Sequence, residues 1–202
     1  MKTLNLFPKT IANDVIDLSN NEINDLINDF EKQTFISTSK NNNCTLISQD
    51  KNILDKYPIL KTKIFDSFNI FKNEILKYNH QRFEFTTSWI TKSTKNNFTH
   101  LHFHKNCMYS GVYYPLLENQ STSIEFVNSN SSLFLLEPTE YNIHNSISQT
   151  INVEKNMVIF FPSELLHSIV NENVNFTRYS IAFNLIPRGN IGNINEDSFL
   201  KL

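Results

Sequence analysis

The residues from Gln81 onward alternate in polarity with a period of two, which is the period of a half-buried β-strand. After a first segment that begins at Phe83, further short segments show strand-like composition between turn-forming residues. They span 99–104, 109–116, 122–127, 149–153, 157–162, 166–171 and 178–186. About eight short strands in succession predict a sandwich-like or jelly-roll barrel.

Two amphipathic helices are predicted before the strands. Asn20–Gln33 places apolar side chains on one helical face behind the capping candidates Ser19 and Asn20, and Pro58–Tyr78 repeats the pattern with proline at its start. The polar segment Ser37–Asp50 predicts a loop, with a short hairpin as the alternative. The expected fold class is therefore mainly β with N-terminal helices, an α+β arrangement in which the helices pack against one sheet.

Length, charge and composition restrict the classes of protein that remain. The 202 residues fit one domain, with a helical part at 1–80, a barrel at 81–187 and a tail at 188–202. The formal net charge of −2 comes without a basic run, so there is no strong nucleic-acid signal. No stretch has the length of a membrane span, no signal peptide is recognisable, and Cys44 and Cys107 lack metal-ligand spacing. We therefore expect a soluble, cytoplasmic protein.

Three histidines at alternate positions, His100, His102 and His104, mark the candidate site. Alternate side chains of a strand point to the same face, so the three rings are predicted to face one site. Neutral imidazole is the commonest metal-binding side chain. A polar strand face exposed to water carries histidines without any ligand, however, so the tract alone leaves metal binding open.

A second set of candidate residues follows later in the chain. The apolar run Met157–Pro162 has the length of a buried strand, and His167 follows it closely. Asn156, just before the run, is predicted to take the place of glycine in a turn. Arg178 then opens another strand, in which Ser180 shares its face.

These residues together resemble a known family. The segments HLHFHKNCMYSGVYYP, NMVIFFPSELLHSIV and RYSIAFNLIP, in this order and spacing, are similar to a group of Fe(II)/2-oxoglutarate-dependent oxygenases distantly related to prolyl 4-hydroxylases. The resemblance covers roughly residues 81–187, and it implies a double-stranded β-helix, the jelly-roll barrel also found in cupins. The ordered motifs are more specific than any one of them alone.

The resemblance also implies roles for individual residues. In this superfamily a His-x-Asp or His-x-Glu pair and a distal histidine hold iron, and a later arginine holds the far carboxylate of 2-oxoglutarate. His167 matches the distal ligand, and Arg178 matches the arginine. Ser180 completes an Arg-x-Ser pairing, and Tyr114 resembles a tyrosine that binds the same carboxylate. The implied cofactors are Fe(II), 2-oxoglutarate as cosubstrate and O2, with ascorbate as a reductant.

The carboxylate that the superfamily pattern requires is absent from this sequence. The available pairs are His100 with His102, or His102 with His104. The resemblance selects His102 and His104, because its His-x-His pair lies six residues before the SGVYY run. The implied ligands are then His102, His104 and His167, with His100 as an extra histidine.

Other residues near these motifs carry weaker expectations. Glu125 or Glu164 would supply the missing carboxylate if it came from another strand, although each is more typical of an exposed acid. Asn106 is a candidate to orient a ligand ring, whereas Cys107 is expected to be a small buried residue. His144 stands alone in a polar insertion, where a solvated side chain is the usual outcome.

The sequence therefore predicts an Fe(II)- and 2-oxoglutarate-dependent dioxygenase, a hydroxylase of unknown substrate. The alternatives are a three-histidine cupin-type enzyme without 2-oxoglutarate, against which Arg178 and Ser180 argue, and a non-catalytic metal-binding barrel, against which the full ligand set argues. A protein side chain, an amino acid or a nucleobase would fit as substrate, selected by loops such as 37–50 and 128–149. The sequence leaves the oligomeric state open.

Overall fold

A computed structural model describes residues 2–39, 43–78, 82–116, 122–129, 136–169 and 175–202. Within these ranges the chain forms twelve strands and two α-helices. In chain order they are β1 (Ala12–Val15), α1 (Asn20–Glu31), β2 (Phe35–Ser37), β3 (Leu46–Ser48), α2 (Pro58–Ile70), β4 (Phe83–Ser93), β5 (Tyr109–Tyr113), β6 (Thr122–Val127), β7 (Ser148–Val153), β8 (Met157–Pro162), β9 (Leu166–Ser168), β10 (Arg178–Pro187), β11 (Asn190–Ile191) and β12 (Leu200–Lys201). A 3-10 turn at Ile53–Lys56 precedes α2, and a π-helical turn at Phe71–Ile75 follows it.

Ten of the strands form two antiparallel sheets. The larger sheet has seven strands in the order β1-β8-β5-β10-β4-β3-β2, and the smaller has three in the order β7-β6-β9. An isolated antiparallel bridge between His102 and His167 pairs the segment before β5 with β9. This is the double-stranded β-helix that the sequence predicts, and the expected mainly β fold with N-terminal helices is confirmed.

The side chains of the larger sheet alternate between two apolar cores. One core lies between this sheet and the helices, and it includes Phe68 of α2 and Phe160 of β8. The other core joins the two sheets, where Phe161 of β8 meets Phe126 of β6 with ring centroids 5.1 Å apart. Because neighbouring residues of a strand point to opposite faces, β8 contributes to both cores. The helices therefore cover one face of the larger sheet and leave the other face to line the barrel.

The two predicted helices begin where local sequence favours them. The Ser19 hydroxyl accepts a hydrogen bond from the backbone N–H of Glu22, whose carboxylate accepts one from the Ser19 N–H, and together they form a capping box. Pro58 occupies the first turn of α2, as predicted, but the regular α-helix ends at Ile70 rather than at Tyr78. In the described part of the chain, no helix is long and apolar enough to cross a membrane.

Two of the predictions about strands were wrong. The residues before 80, predicted as helices and loops, also supply β1, β2 and β3 to the larger sheet, where β2 and β3 form the hairpin that was the alternative for 37–50. Such three- or four-residue strands are too short to show a clear alternation in the sequence. The predicted strand 99–104 is not regular, since only Phe98 and His102 form isolated bridges. Residues 170 and 171 of the predicted strand 166–171 lie outside the described residues.

Asn156 replaces glycine in the turn before β8, as predicted, with a positive φ of 61°. Its side-chain Nδ2 donates to the carbonyl of Leu18 at 2.9 Å, and its Oδ1 accepts from the hydroxyl of Tyr113 at 3.0 Å. The side chain of Asn156 therefore links the segment before α1 to β5 by hydrogen bonds.

Candidate metal and cosubstrate site

Backbone hydrogen bonds hold the histidine segment against the end of β8 and against β9. The N–H of His102 donates to the carbonyl of His167 at 3.0 Å, and the N–H of His167 donates to the carbonyl of His102 at 2.9 Å. Further along, the N–H of His104 donates to the carbonyl of Ser163 at 2.9 Å. This pairing brings together histidines that are far apart in the sequence.

The imidazoles of His102, His104 and His167 converge on one point. Their ring centroids are 4.3 Å apart for His102 and His167, 5.1 Å for His104 and His167, and 5.3 Å for His102 and His104. One ring nitrogen from each lies within 4.8 Å of the others, and the Nε2 atoms of His102 and His104 are 3.3 Å apart. Among the described residues, no carboxylate joins this cluster.

The other ring nitrogen of each histidine faces an oxygen atom. His102 Nδ1 lies 2.8 Å from the carbonyl of His100, and His167 Nδ1 lies 2.9 Å from the carbonyl of Leu165. His104 Nδ1 lies 2.5 Å from Oδ1 of Asn184. Because a carbonyl oxygen can only accept, each Nδ1 carries the proton and each Nε2 offers its lone pair. Three such donors fit a divalent transition metal.

Burial keeps two of these rings, those of His104 and His167, in the neutral form that a metal requires. The pKa of His167 is lowered from 6.5 to about 3, chiefly by burial and then by the neighbouring His102. Burial also lowers the pKa of His104, whereas the hydrogen bond that this ring donates to Asn184 raises it. Metal affinity depends on unprotonated ligands, so these environments favour binding at neutral pH.

A cavity of about 520 Å³ opens beside the histidines, within the range of small-molecule sites. Its wall combines apolar side chains, hydroxyl groups and the imidazoles, and the described part contains no carboxylate. Trp89 forms part of the wall, with its ring centroid 5.6 Å from that of His104. A more open groove of about 600 Å³ lies between α1 and the start of α2, and none of the predicted site residues lines it.

The residues predicted to bind 2-oxoglutarate lie on the inner face of the larger sheet. Ser180 and Tyr114 line the cavity and are fully buried, and Ser180 Oγ is 2.5 Å from Oγ1 of Thr91. Arg178 is buried two residues before Ser180, and its guanidinium donates to Thr122 Oγ1 at 2.8 Å and Ser93 Oγ at 2.9 Å. Arg178 itself is not part of the cavity wall.

His100 lies apart from the other two histidines of its segment. His100 is exposed, with Nε2 3.5 Å from Sγ of Cys44, and it lines the cavity without joining the cluster. All three alternate histidines line one cavity, but His100 does not converge with the other two. Residues 99–101 lie between isolated bridges, without the ladder that enforces alternation.

Four further candidates also lie outside the cluster. Glu164 is exposed and pairs with Lys9 at 2.6 Å, and His144 is exposed in its loop. Asn106 is exposed with a φ of 60°, so it serves the turn and not a ligand ring. Cys107, expected to be buried, is only half-buried.

Sequence reasoning missed Asn184 and Ser110, which both contact His104. Ser110 Oγ lies 3.1 Å from His104 Nδ1 and donates to Asn184 Oδ1 at 2.8 Å. Ser110 of β5 and Asn184 of β10 are directly paired in the sheet. The sequence held a signal for Asn184, which is a polar residue in an apolar run. It lies an even number of residues after Arg178, and such residues share one face of a strand.

Comparison with known proteins identifies the class of this protein. The family model described as "Putative 2OG-Fe(II) oxygenase" matches residues 87–184, which include the three converging histidines and Arg178. A search of curated proteins found no match.

Solved structures share the fold at low sequence identity. HygX from Streptomyces hygroscopicus, with nickel, 2-oxoglutarate and hygromycin B bound, has a TM-score of 0.61 and 11% identity, covering 89% of this chain and 83% of that chain. A prolyl-4-hydroxylase from Pseudomonas putida has a TM-score of 0.54 and 13% identity, covering 90% and 94%. The α-ketoglutarate-dependent carbocyclase SnoK from nogalamycin biosynthesis has a TM-score of 0.60 and 10% identity, covering 90% and 81%.

This chain matches the Fe(II)- and 2-oxoglutarate-dependent oxygenase family over residues 87–184. It is therefore an enzyme of this class, and the cofactors of the class are Fe(II), 2-oxoglutarate and O2. The three-histidine enzyme without 2-oxoglutarate and the non-catalytic barrel are not favoured by these matches.

Proposed function

We propose that this protein is a hydroxylase in which His102, His104 and His167 hold Fe(II). The observation that carries the proposal is the convergence of three Nε2 atoms whose opposite ring nitrogens all face acceptors. The bound cofactors supply the oxidation, in which 2-oxoglutarate becomes succinate and carbon dioxide while one oxygen atom enters a C–H bond of the substrate. The residues of the chain bind, orient and shield the reactants.

The far carboxylate of 2-oxoglutarate is assigned to Arg178, with Ser180 and Tyr114 beside it. Two hydroxyl groups orient the buried guanidinium, and a guanidinium fork matches a carboxylate through two parallel, charge-assisted hydrogen bonds. Ser180 and Tyr114 line the cavity next to the histidines, so an oxoacid can extend from the metal toward β10. Lysine would not reproduce this geometry.

The substrate is proposed to be neutral or anionic. The histidines bring no negative charge to the iron, and the described cavity wall contains Lys105 but no acidic residue. Thr38, Cys44 and Ile47 of the predicted specificity loop line the cavity, which supports its role in selecting the substrate. A protein side chain, an amino acid and a nucleobase remain the candidate classes. A screen by succinate release in which cationic compounds react as well as anionic ones would contradict the charge preference.

Metal analysis tests the ligand set directly. His102→Ala and His167→Ala should each abolish stoichiometric Fe(II) binding, measured by atomic absorption after anaerobic loading, whereas His144→Ala should retain it because His144 is exposed and outside the cluster. Unchanged iron content in the first two variants would show that the ligand assignment is wrong.

Turnover tests the activity. With Fe(II), ascorbate and air, the wild type should convert 2-oxoglutarate slowly into succinate, and His104→Ala should abolish this conversion. His104→Asp restores the usual ligand pattern and should retain iron. If the metal-loaded wild type fails to bind 2-oxoglutarate, the three-histidine enzyme without cosubstrate becomes the better explanation.

A further inference from the structure

His104 is oriented differently from the other two histidines of the cluster. His102 and His167 each donate to a backbone carbonyl two residues before them, an acceptor that is available whatever the side chains are. His104 instead meets two side chains, with Oδ1 of Asn184 at 2.5 Å and Oγ of Ser110 at 3.1 Å from its Nδ1. The orientation of this ring therefore depends on the identity of particular residues.

A chain of hydrogen bonds from three strands fixes the amide of Asn184. Its Nδ2 donates to Oγ1 of Thr87 on β4 at 3.0 Å, which leaves Oδ1 to face His104. Ser110 on β5 donates to the same Oδ1 at 2.8 Å and lies 2.9 Å from the hydroxyl of Ser163. With its amide turned this way, Asn184 can only accept from His104, so the proton stays on Nδ1 and the lone pair on Nε2.

We propose that Asn184 is the positioning residue that allows an imidazole to serve at His104, where the superfamily pattern has a carboxylate. The inference rests on the proposed function, because it assumes that His104 Nε2 is a metal ligand. A carboxylate at this place would need hydrogen-bond donors behind it, whereas an imidazole that offers Nε2 needs an acceptor behind Nδ1. Asn184, held by Thr87 and Ser110, supplies that acceptor.

Titration of the metal-free protein with Co(II), followed by its visible absorption, tests the proposal. Asn184→Leu removes the acceptor at similar volume and should weaken Co(II) binding about 10- to 100-fold, the usual effect of losing a residue that orients a ligand. Asn184→Asp keeps an acceptor oxygen and should retain affinity close to that of the wild type. If Asn184→Leu does not fold, Asn184→Ala carries the same expectation.

Ser88→Ala is the matched control. Ser88 is buried next to Thr87 on β4, and its hydroxyl accepts from the N–H of Leu54 at 2.9 Å on the opposite face of the sheet. This variant loses a buried hydrogen bond without touching a histidine, so its Co(II) affinity should stay unchanged. Equal weakening in Ser88→Ala and Asn184→Leu would overturn the specific role of Asn184.

Two further readouts separate positioning from a general structural role. In a His104→Asp background there is no imidazole at position 104 to orient, so adding Asn184→Leu should not weaken Co(II) binding further. The effects of the two substitutions should therefore not add.

In the metal-free wild type, ¹⁵N NMR should show His104 as the Nδ1–H tautomer. Asn184→Leu should change the His104 signal and leave those of His102 and His167 as they are. An unchanged signal would overturn the inference, and because the NMR needs no metal, it decides even if the wild type binds no Co(II).

Discussion

The two faces of β10 are made of neighbouring residues, almost all buried, yet they have different surroundings. Odd-numbered positions enter the apolar core beneath the helices: Tyr179, Ile181, Phe183 and Leu185. Even-numbered positions face the barrel interior and are mostly polar: Arg178, Ser180, Ala182 and Asn184. Burial therefore does not distinguish packing residues from site residues on this strand, whereas the parity of the position does. If the two faces act separately, substitutions on the outer face should lower stability and substitutions on the inner face should weaken ligand binding.

The largest expected effect is on the outer face. Phe183 is fully buried and its ring packs against Phe85 and Phe160, with centroids 5.3 and 6.0 Å away. Phe183→Ala should lower the free energy of unfolding of the metal-free protein by about 3–5 kcal/mol, because it leaves a cavity in the core. Urea denaturation measures this change. The folded variant should bind Co(II) like the wild type, and a selective loss of metal binding would break the separation of the two faces.

Arg178 is the corresponding test on the inner face. Arg178→Ala should weaken 2-oxoglutarate binding by about 2–5 kcal/mol, the usual range when one partner of a buried charge pair is removed. Calorimetric titration of anaerobic, metal-loaded protein measures it. Arg188→Ala is the control, since Arg188 directly follows the other end of β10 and pairs with Glu84 at the surface. Equal affinity of wild type and Arg178→Ala would show that another residue holds the cosubstrate.

Sequence reasoning predicted the barrel more completely than the site. Strands β4 to β8 and β10 were predictable because each is long enough to alternate or to form an apolar run. His102, His104 and His167 lie together as the motifs indicate. The short strands before α2 were missed because strands of three or four residues owe their conformation to the strands they pair with. The division of the chain into parts at 1–80, 81–187 and 188–202 stays a prediction.

The surroundings of the metal ligands were the least predictable part. Asn106 was chosen because it lies next to the histidines in the sequence, whereas the acceptor for His104 comes from β10. Contact between Asn184 and His104 depends on the register between β5 and β10, which pairs Asn184 with Ser110. Strand parity places Asn184 on the inner face, but its pairing with Ser110 joins strands that are distant in sequence and depends on how the barrel packs.

Gly111 offers a smaller test of the outer face. A Cβ atom at this position would lie 2.4 Å from the Phe183 ring and 2.7 Å from the carbonyl oxygen of Ile159. Gly111→Ala should therefore lower the free energy of unfolding by about 1–3 kcal/mol, the usual cost of overpacking. Thermal and urea denaturation measure the change. In a Phe183→Leu background the added cost should be smaller, and strict additivity would show that the ring contact is not its source.

The remaining expected effect is a dependence of stability on pH just below neutrality, which arises from the inner face. In the metal-free protein, burial lowers the pKa of His104, and it lowers that of His167 from 6.5 to about 3. At His167 the unfolded chain therefore takes up a proton near pH 6.5, whereas the folded chain takes it up only near pH 3. This part of the stability is complete above pH 6.5 and is lost as the pH falls toward 3.

Each such histidine should contribute a slope of up to about 1.4 kcal/mol per pH unit. The window between about pH 6.5 and 5 isolates this slope, because ordinary carboxylates titrate below it. Urea denaturation across the window should show a clear slope that becomes shallower in His167→Gln. Ile181→Val, on the outer face, should lower the free energy of unfolding equally at every pH. If His167→Gln keeps the full slope, the acid sensitivity does not come from His167, and the contrast between the two faces does not extend to protonation.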